Sequence, residues 1–287
     1  MAVSGLLLLD KESGWTSQDC VAKLRGILGQ QRVGHAGTLD PMATGLLVVL
    51  VGRATRAAAY AEAGEKEYVA SFRPGIVTDT QDITGSLLRQ CAVLPSEAEV
   101  RAILPRFTGE IEQLPPMYSA VKVNGQKLYE IARRGGEAER QKRKITIHSM
   151  EYLGREGDDH ILRIRCSKGT YIRTLCSDMG EALGCGGCMS ALRRTAVGPF
   201  RVEDAVSIGQ VTRESRDRLL GIDVLFPELP SLPLDGEQER KCRCGNAFPV
   251  SAESGRVRLY AGDGAFLALG TVEDGICRIE KSFFEVD

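Results

Sequence analysis

The chain opens with a short apolar run, Leu6 to Leu9, between Gly5 and Asp10, which predicts a strand. Val21, Leu24, Ile27 and Leu28 then recur at helical spacing, and Thr16 or Ser17 stands where an N-cap belongs. Periodicity is lost from Gly34 to Gly45, where three glycines and Pro41 predict an irregular, fixed turn. The unbroken apolar run Leu46 to Val51 predicts a buried strand, followed by an alanine-rich helix over 54–62. Residues 66–72 alternate as a strand does, and Ser96-Glu97-Ala98-Glu99 has the form of a capping box heading a helix towards Leu104. Helical spacing returns at Leu128, Ile131 and Ala132. Two β-rich stretches, 145–153 and 160–166, precede a helix starting near Tyr171 and ending near Leu183. Strands and helices do not alternate strictly, so the pattern predicts an α+β protein with a mixed, largely antiparallel sheet.

A second unit is expected after Phe226-Pro-Glu-Leu-Pro-Ser-Leu-Pro233, whose three prolines predict a stiff linker. Beyond it, short apolar runs at 257–260, 265–270 and 276–279 are separated by glycines and predict a small β-rich domain. The expected division is 1–228 and 229–287.

Composition removes several classes of function. No apolar run approaches the roughly 20 residues of a membrane helix, and no basic segment precedes Leu6, so a cytoplasmic protein is expected. Nine cysteines scattered from Cys20 to Cys277 make an odd number and no disulfide framework. Cys185-Gly-Gly-Cys188 has zinc-like spacing, but Cys242-Arg-Cys244 has one intervening residue instead of two, so no metal is expected. The net charge of −1 argues against a nucleic-acid partner, until its distribution is considered. Residues 1–200 hold 26 basic and 22 acidic side chains, and the acidic excess lies in the remainder. Between Arg133 and Lys144 there are six basic and two acidic groups. Such a run is most often a solvated loop; beside a cleft it would contact phosphates.

The chemistry centres on Gly-His-Ala-Gly-Thr-Leu-Asp-Pro-Met-Ala-Thr-Gly-Leu-Leu, residues 34–47, with Asp40 as its single carboxylate. Locally, an Asp-Pro pair ordinarily caps a turn. This stretch, however, resembles the catalytic-aspartate motif of the tRNA pseudouridine synthase B (TruB) family, with Asp40 at the aspartate. Lys66-Glu67-Tyr68 with the segment 75–85 resembles a second motif of that family. Residues 113–122, 167–174 and 191–195 resemble three more, in the family's order. One departure stands in the first turn, where Glu12 replaces the usual proline.

The resemblance implies a pseudouridine synthase fold with a C-terminal RNA-binding PUA-like domain, acting on uridine 55 of the tRNA TΨC stem-loop. Such an enzyme detaches uracil from ribose C1′ and rejoins it through C5, with no cofactor, metal or obligatory protein partner. Its target must be flipped out of the stack. Asp40 would be the carboxylate, as nucleophile at C1′ or as base, and Arg173 the cation that keeps it ionised. Tyr68 would stack on the base, Tyr171 and Leu192 would close the uracil pocket, and His35 would fill the gap left by flipping. Lys11 and Asp82 match supporting polar positions. Two alternatives stand beside this one: an RNA-binding or RNA-folding protein on the same scaffold, and a guide-RNA-dependent catalytic subunit of ribosomal RNA pseudouridylation.

Overall fold

A computed structural model describes residues 3–119, 121–123 and 125–284; Ala120 of the third motif and the last three residues of the expected second domain lie outside them. A ten-stranded mixed sheet organises everything up to Ser207. Its strands run in the order Val206–Ser207, Gly5–Lys11, Thr44–Val51, Gly187–Val197, Lys66–Pro74, Asp159–Cys166, Arg143–Glu156, Gly109–Gln113. Val33–Ala36 adds to Thr44–Val51, and Phe200–Arg201 to Gly187–Val197. Gly5–Lys11 with Val206–Ser207, and Thr44–Val51 with Gly187–Val197, pair in parallel; the remaining pairs are antiparallel. The fold is the expected α+β type.

The run Leu46 to Val51 is unbroken because both faces of its strand are covered. Leu47 and Val49 pack with Leu24 and Leu28 of the first helix and with Leu175 and Met179 of a later one. Leu46, Val48 and Leu50 face the opposite way, against Ala54, Ala57 and Ala61. Successive strand side chains point to opposite faces, so one apolar run serves two cores. The first helix, Ser17–Leu28, starts at Thr16, which exchanges capping-box bonds with Asp19. Ser96 and Glu99 do the same for the helix Glu97–Ile103.

Four segments differ from expectation. The Gly34–Gly45 segment is not irregular throughout, because Val33–Ala36 is a strand paired with Val48–Val51. The helix expected over 54–62 is a 3-10 turn, Gly52–Ala57, followed by the short helix Ala58–Ala63. Gly187–Val197 is a central strand that its sequence does not announce; two irregularities in its register break the alternation. The helix Gly236–Arg243 carries Cys242, in a region read as strands.

Residues 231–282 form a five-stranded sheet, in the order Ser231–Pro233, Gly255–Tyr260, Phe266–Glu273, Ile276–Ser282, Phe248–Pro249. The proline-rich segment is not a free linker. Ser231–Pro233 pairs in parallel with Arg258–Tyr260. Phe226 is buried, edge-on to Tyr60 at 5.1 Å between ring centroids, with Phe266 and Phe283 at 6.3 and 6.4 Å. Leu269 and Phe283 belong to the same apolar cluster as Leu46, Val48 and Ala57. The cysteines are free thiols, all buried except Cys91 and Cys244. No helix among the described residues is long and apolar enough to cross a membrane.

Candidate active site

Asp40 sits between two pinned ends of its turn. Before it, the buried Ser17 hydroxyl accepts from the Leu39 amide at 2.9 Å and donates to the Leu39 carbonyl at 3.2 Å. After it, the Pro41 carbonyl accepts from the Gly14 amide at 2.9 Å and from Lys11 Nζ at 3.3 Å. Lys11 is itself buried, and donates further to the carbonyls of Glu12 and Trp15 at 2.9 and 2.7 Å. Burial lowers its pKa, with Asp40 among the groups that oppose the shift.

The partner of Asp40 comes from the first turn of the helix Ile172–Ala182. Arg173 Nε lies 2.9 Å from Asp40 Oδ2, and its Nη2 donates to Oδ1 at 3.2 Å. The guanidinium also donates to the carbonyls of Thr80 and Tyr118 at 3.0 and 2.8 Å, and its Nη1 lies 3.7 Å from Asp82 Oδ2. Asp82 is buried and accepts at Oδ1 from the Thr80 hydroxyl and from both the amide and hydroxyl of Thr84. One guanidinium thus serves two carboxylates. The side chain of Arg173 is 6% exposed, whereas that of Asp40 is 34% exposed, so the carboxylate faces out of the cluster.

The electrostatic balance at Asp40 differs from the expectation that Arg173 alone sets it. Burial raises its pKa above the ordinary carboxylate value, with help from the neighbouring Asp82; Arg173 and Lys11 pull it back without cancelling the rise. Tyr68 is buried on the strand Lys66–Pro74, and burial raises its phenol while the adjacent Arg194 opposes the shift. Tyr171 is held through its backbone: its amide donates to Gln113 Oε1 at 2.7 Å, and Gln113 Nε2 donates back to its carbonyl at 3.0 Å. Leu192 is buried, and its carbonyl accepts from the Thr44 hydroxyl at 3.5 Å.

Asp40, Arg173, Asp82 and Lys11 therefore form one contact cluster around the turn, with Tyr68, Tyr171 and Leu192 on elements bonded to it. His35 stands outside the ion-paired group. Its Nε2 lies 3.3 Å from Gln18 Nε2, its Nδ1 is buried without a partner, and burial together with Arg194 keeps its pKa low. Sequence reasoning missed Ser17, Thr80 and Arg194 as parts of this assembly. Arg194 lies inside a quoted motif, but nothing local marks it as buried.

The basic stretch 133–144 is also not simply a loop. Arg143 and Lys144 open the strand Arg143–Glu156, and Lys142 and Lys144 lie 3.8 and 2.9 Å from Glu112 and Glu110. Cys185 and Cys188 are buried, and Cys185 Sγ donates to the Gly186 carbonyl at 3.1 Å. Among the described residues, no group of three His, Cys, Asp or Glu side chains is placed to hold a metal.

The N-terminal domain model of the TruB family pseudouridylate synthases matches residues 25–172, and the tRNA pseudouridylate synthase B C-terminal domain model matches residues 173–220. The chain belongs to the TruB family. A tRNA pseudouridine synthase B from Aromatoleum aromaticum is 47% identical over 93% of the chain and 88% of its own length. Proteins of the same name from Dechloromonas aromatica and Burkholderia mallei are each 41% identical, over 93% and 98% of the chain and 91% and 97% of their own lengths. Among solved structures, a chain of a Cbf5-Nop10-Gar1 complex is 27% identical with a TM-score of 0.72, covering 98% of this chain and 85% of that one. A chain of an H/ACA RNP bound to a substrate RNA has the same fold, with a TM-score of 0.72 at 24% identity, covering 99% of this chain and 86% of that one. The two TruB models meet at the helix Ile172–Ala182. Asp40 falls in the first model, and Arg173 opens the second.

Proposed function

We propose that this TruB-family protein converts uridine 55 in the TΨC loop of tRNA into pseudouridine. The observation that carries the proposal is the pairing of an accessible carboxylate, Asp40, with a buried guanidinium, Arg173, on a turn pinned at both ends. Isomerisation needs a carboxylate beside C1′ that is charged yet poorly solvated, because such a group reacts readily with a centre losing its leaving group. The names of the relatives supply the substrate class.

The uridine is flipped from its loop, and unstacking is offset in part by Tyr68, since base–aromatic stacking contributes about 1–3 kcal/mol. Asp40 then attacks C1′ or removes a ribose proton, and uracil leaves through N1. Tyr171 and Leu192 confine the detached base while it turns to present C5, and the bond reforms there. Forming the C1′–C5 bond releases Asp40 from C1′, or is accompanied by return of the proton Asp40 took from ribose. The C5 proton is then lost and N1 regains one, so atoms balance without oxidant, metal or cofactor. His35 would take the place the base vacates. We further propose that residues 1–228 form the catalytic domain and 229–287 a PUA-like RNA-binding domain of a cytoplasmic enzyme.

The deciding experiment incubates the purified chain with a TΨC stem-loop carrying tritium at uridine C5 and counts the label released. Stoichiometric release with the chain alone is expected. The likeness to H/ACA RNP chains favours a second possibility, a subunit directed by guide RNA. Label release only after adding guide RNA and partner proteins would establish that one, and no release under either condition would overturn both.

A further inference from the structure

Among the described residues Arg194 is the largest fully buried side chain, at 1% exposure, and none of the ion pairs there includes it. A guanidinium stays charged in any protein environment, and burying one without a counter-charge is costly. A methionine would occupy similar space without that cost. The protein keeps the cation, and its hydrogen bonds show what it holds. Nε donates to the Leu46 carbonyl at 2.7 Å, and Nη2 donates to the Gly37 carbonyl at 2.8 Å. These two carbonyls bracket the turn that carries Asp40.

Both approaches are built into the backbone. Gly45 is the strand partner of Arg194 and has φ +97°; a Cβ there would fall 2.2 Å from the Arg194 carbonyl oxygen. Gly37 has φ +76°, and a Cβ there would stand 3.3 Å from Arg194 Nη1. On its other side Arg194 is the cross-strand partner of Tyr68. One buried side chain thus touches the turn of the carboxylate at both ends, from a position opposite the proposed base-stacking residue in the sheet.

We propose that Arg194 is a positioning residue for the isomerisation: it fixes the Asp40 turn and the Tyr68 ring in one geometry before substrate enters. The proposal rests on the function argued above. Asp40 is then held by three cations with separate tasks: Arg173 on the carboxylate, Lys11 on the following carbonyl, and Arg194 on the two ends of the turn. Arg194 touches no reacting atom, so its loss should appear in the chemical step and not in RNA affinity.

The test compares Arg194→Lys and Arg194→Met with wild type in single-turnover reactions on the TΨC stem-loop at saturating enzyme, a rate that a partly unfolded sample does not lower. Filter binding gives the Kd, and circular dichroism melting reports folding. Displacement of reacting groups by about 1 Å costs about a hundredfold, so Arg194→Met should slow turnover by about that factor and Arg194→Lys by about tenfold. Kd should stay within about threefold of wild type, the spread expected when contacts to RNA are untouched. A folded Arg194→Met with the wild-type rate overturns the proposal, as does a weakened Kd with an unchanged saturated rate. Should Arg194→Met fail to fold, Gly37→Ala, which presses on Nη1 and keeps the charge, replaces it; wild-type rates in both Gly37→Ala and Arg194→Lys would overturn the proposal equally. An inactive wild type refutes the proposed function itself, whereas an active wild type with equally active variants refutes only the role of Arg194.

Discussion

Arg173 grips Asp40 side-on, Nε to Oδ2 at 2.9 Å and Nη2 to Oδ1 at 3.2 Å, while its Nη1 faces Asp82. A fork of this kind fixes direction as well as charge, which a lysine cannot do. The carboxylate is therefore aimed outward by a side chain that is itself held by the carbonyls of Thr80 and Tyr118.

Asp40→Asn should lower the single-turnover rate by on the order of a thousandfold or more, because both candidate roles need the negative charge. Stem-loop affinity should change little, and the fold should persist, since Arg173 retains Asp82 and two carbonyls. Near wild-type label release from a preparation free of other synthases would remove Asp40 from the mechanism.

Arg173→Met should be both inactive and less stable. It leaves Asp40 and Asp82 facing the same space without their cation. Breaking a buried pair in this way costs about 3 kcal/mol, the low end of the usual range, because Asp40 is 34% exposed. Denaturant midpoints measure the loss, and a variant as stable as wild type would mean that solvent already screens the cluster.

The pH dependence follows from the raised pKa of Asp40. Its folded form holds a proton more tightly than the unfolded chain does. The stability that this contributes is complete below the ordinary carboxylate value and is lost as pH rises through the folded value. Asp40→Asn should accordingly gain stability relative to wild type across that window. The single-turnover rate should rise with an acid limb above the ordinary carboxylate value, and an Arg173→Lys variant with a poorer grip should move the limb upward. A limb at or below the ordinary value would contradict the dominance of burial.

Much of this site is visible in the sequence for a local reason. Glycines, Pro41 and Asp40 fall within one turn, and Thr16 with Asp19 or Ser96 with Glu99 announce helix starts three residues apart. What is not visible depends on distance along the chain. Arg194 reaches Gly37 and Leu46 from about 150 residues away, and its strand carries no clean alternation because its register shifts twice. The balance at Asp40 needed the degree of burial, which no motif records. The prolines from 227 to 233 report stiffness truthfully, but stiffness does not say whether a segment is docked.

Docking of that segment changes the outlook for truncation. A chain ending near Pro230 would lose Leu269, Phe266 and Phe283 and uncover Phe226 and Tyr60. It should aggregate or melt well below the full chain. Phe283→Ala in the full chain should cost about 3–5 kcal/mol, as removal of a buried ring does. Melting of the full chain should be a single cooperative transition. Two separate transitions would mean that the aromatic contact does not couple the two sheets.

The basic strand end makes a further measurable demand. Glu110 and Glu112 offset part of the charge of Lys144 and Lys142. If this edge meets phosphates, replacing both glutamates with glutamine should strengthen stem-loop affinity at low salt and steepen the fall of log affinity with log salt. An unchanged salt slope would place the edge outside the RNA footprint.

The parallel contact between Thr44–Val51 and Gly187–Val197 lasts two residue pairs, at Thr44 and Gly45, and just beyond it the Leu46 carbonyl accepts from the Arg194 side chain. Strand pairing reaches no closer to the carboxylate than Thr44, and within the turn bonds from Ser17, Lys11, Arg173 and Arg194 take its place. These four come from separate stretches of the chain, so no local fluctuation releases them together. Amide hydrogens of the turn should exchange at the pace of global unfolding. Asp40 is then the stationary reactant, and the travel needed to bring ribose and carboxylate together falls to the nucleic acid.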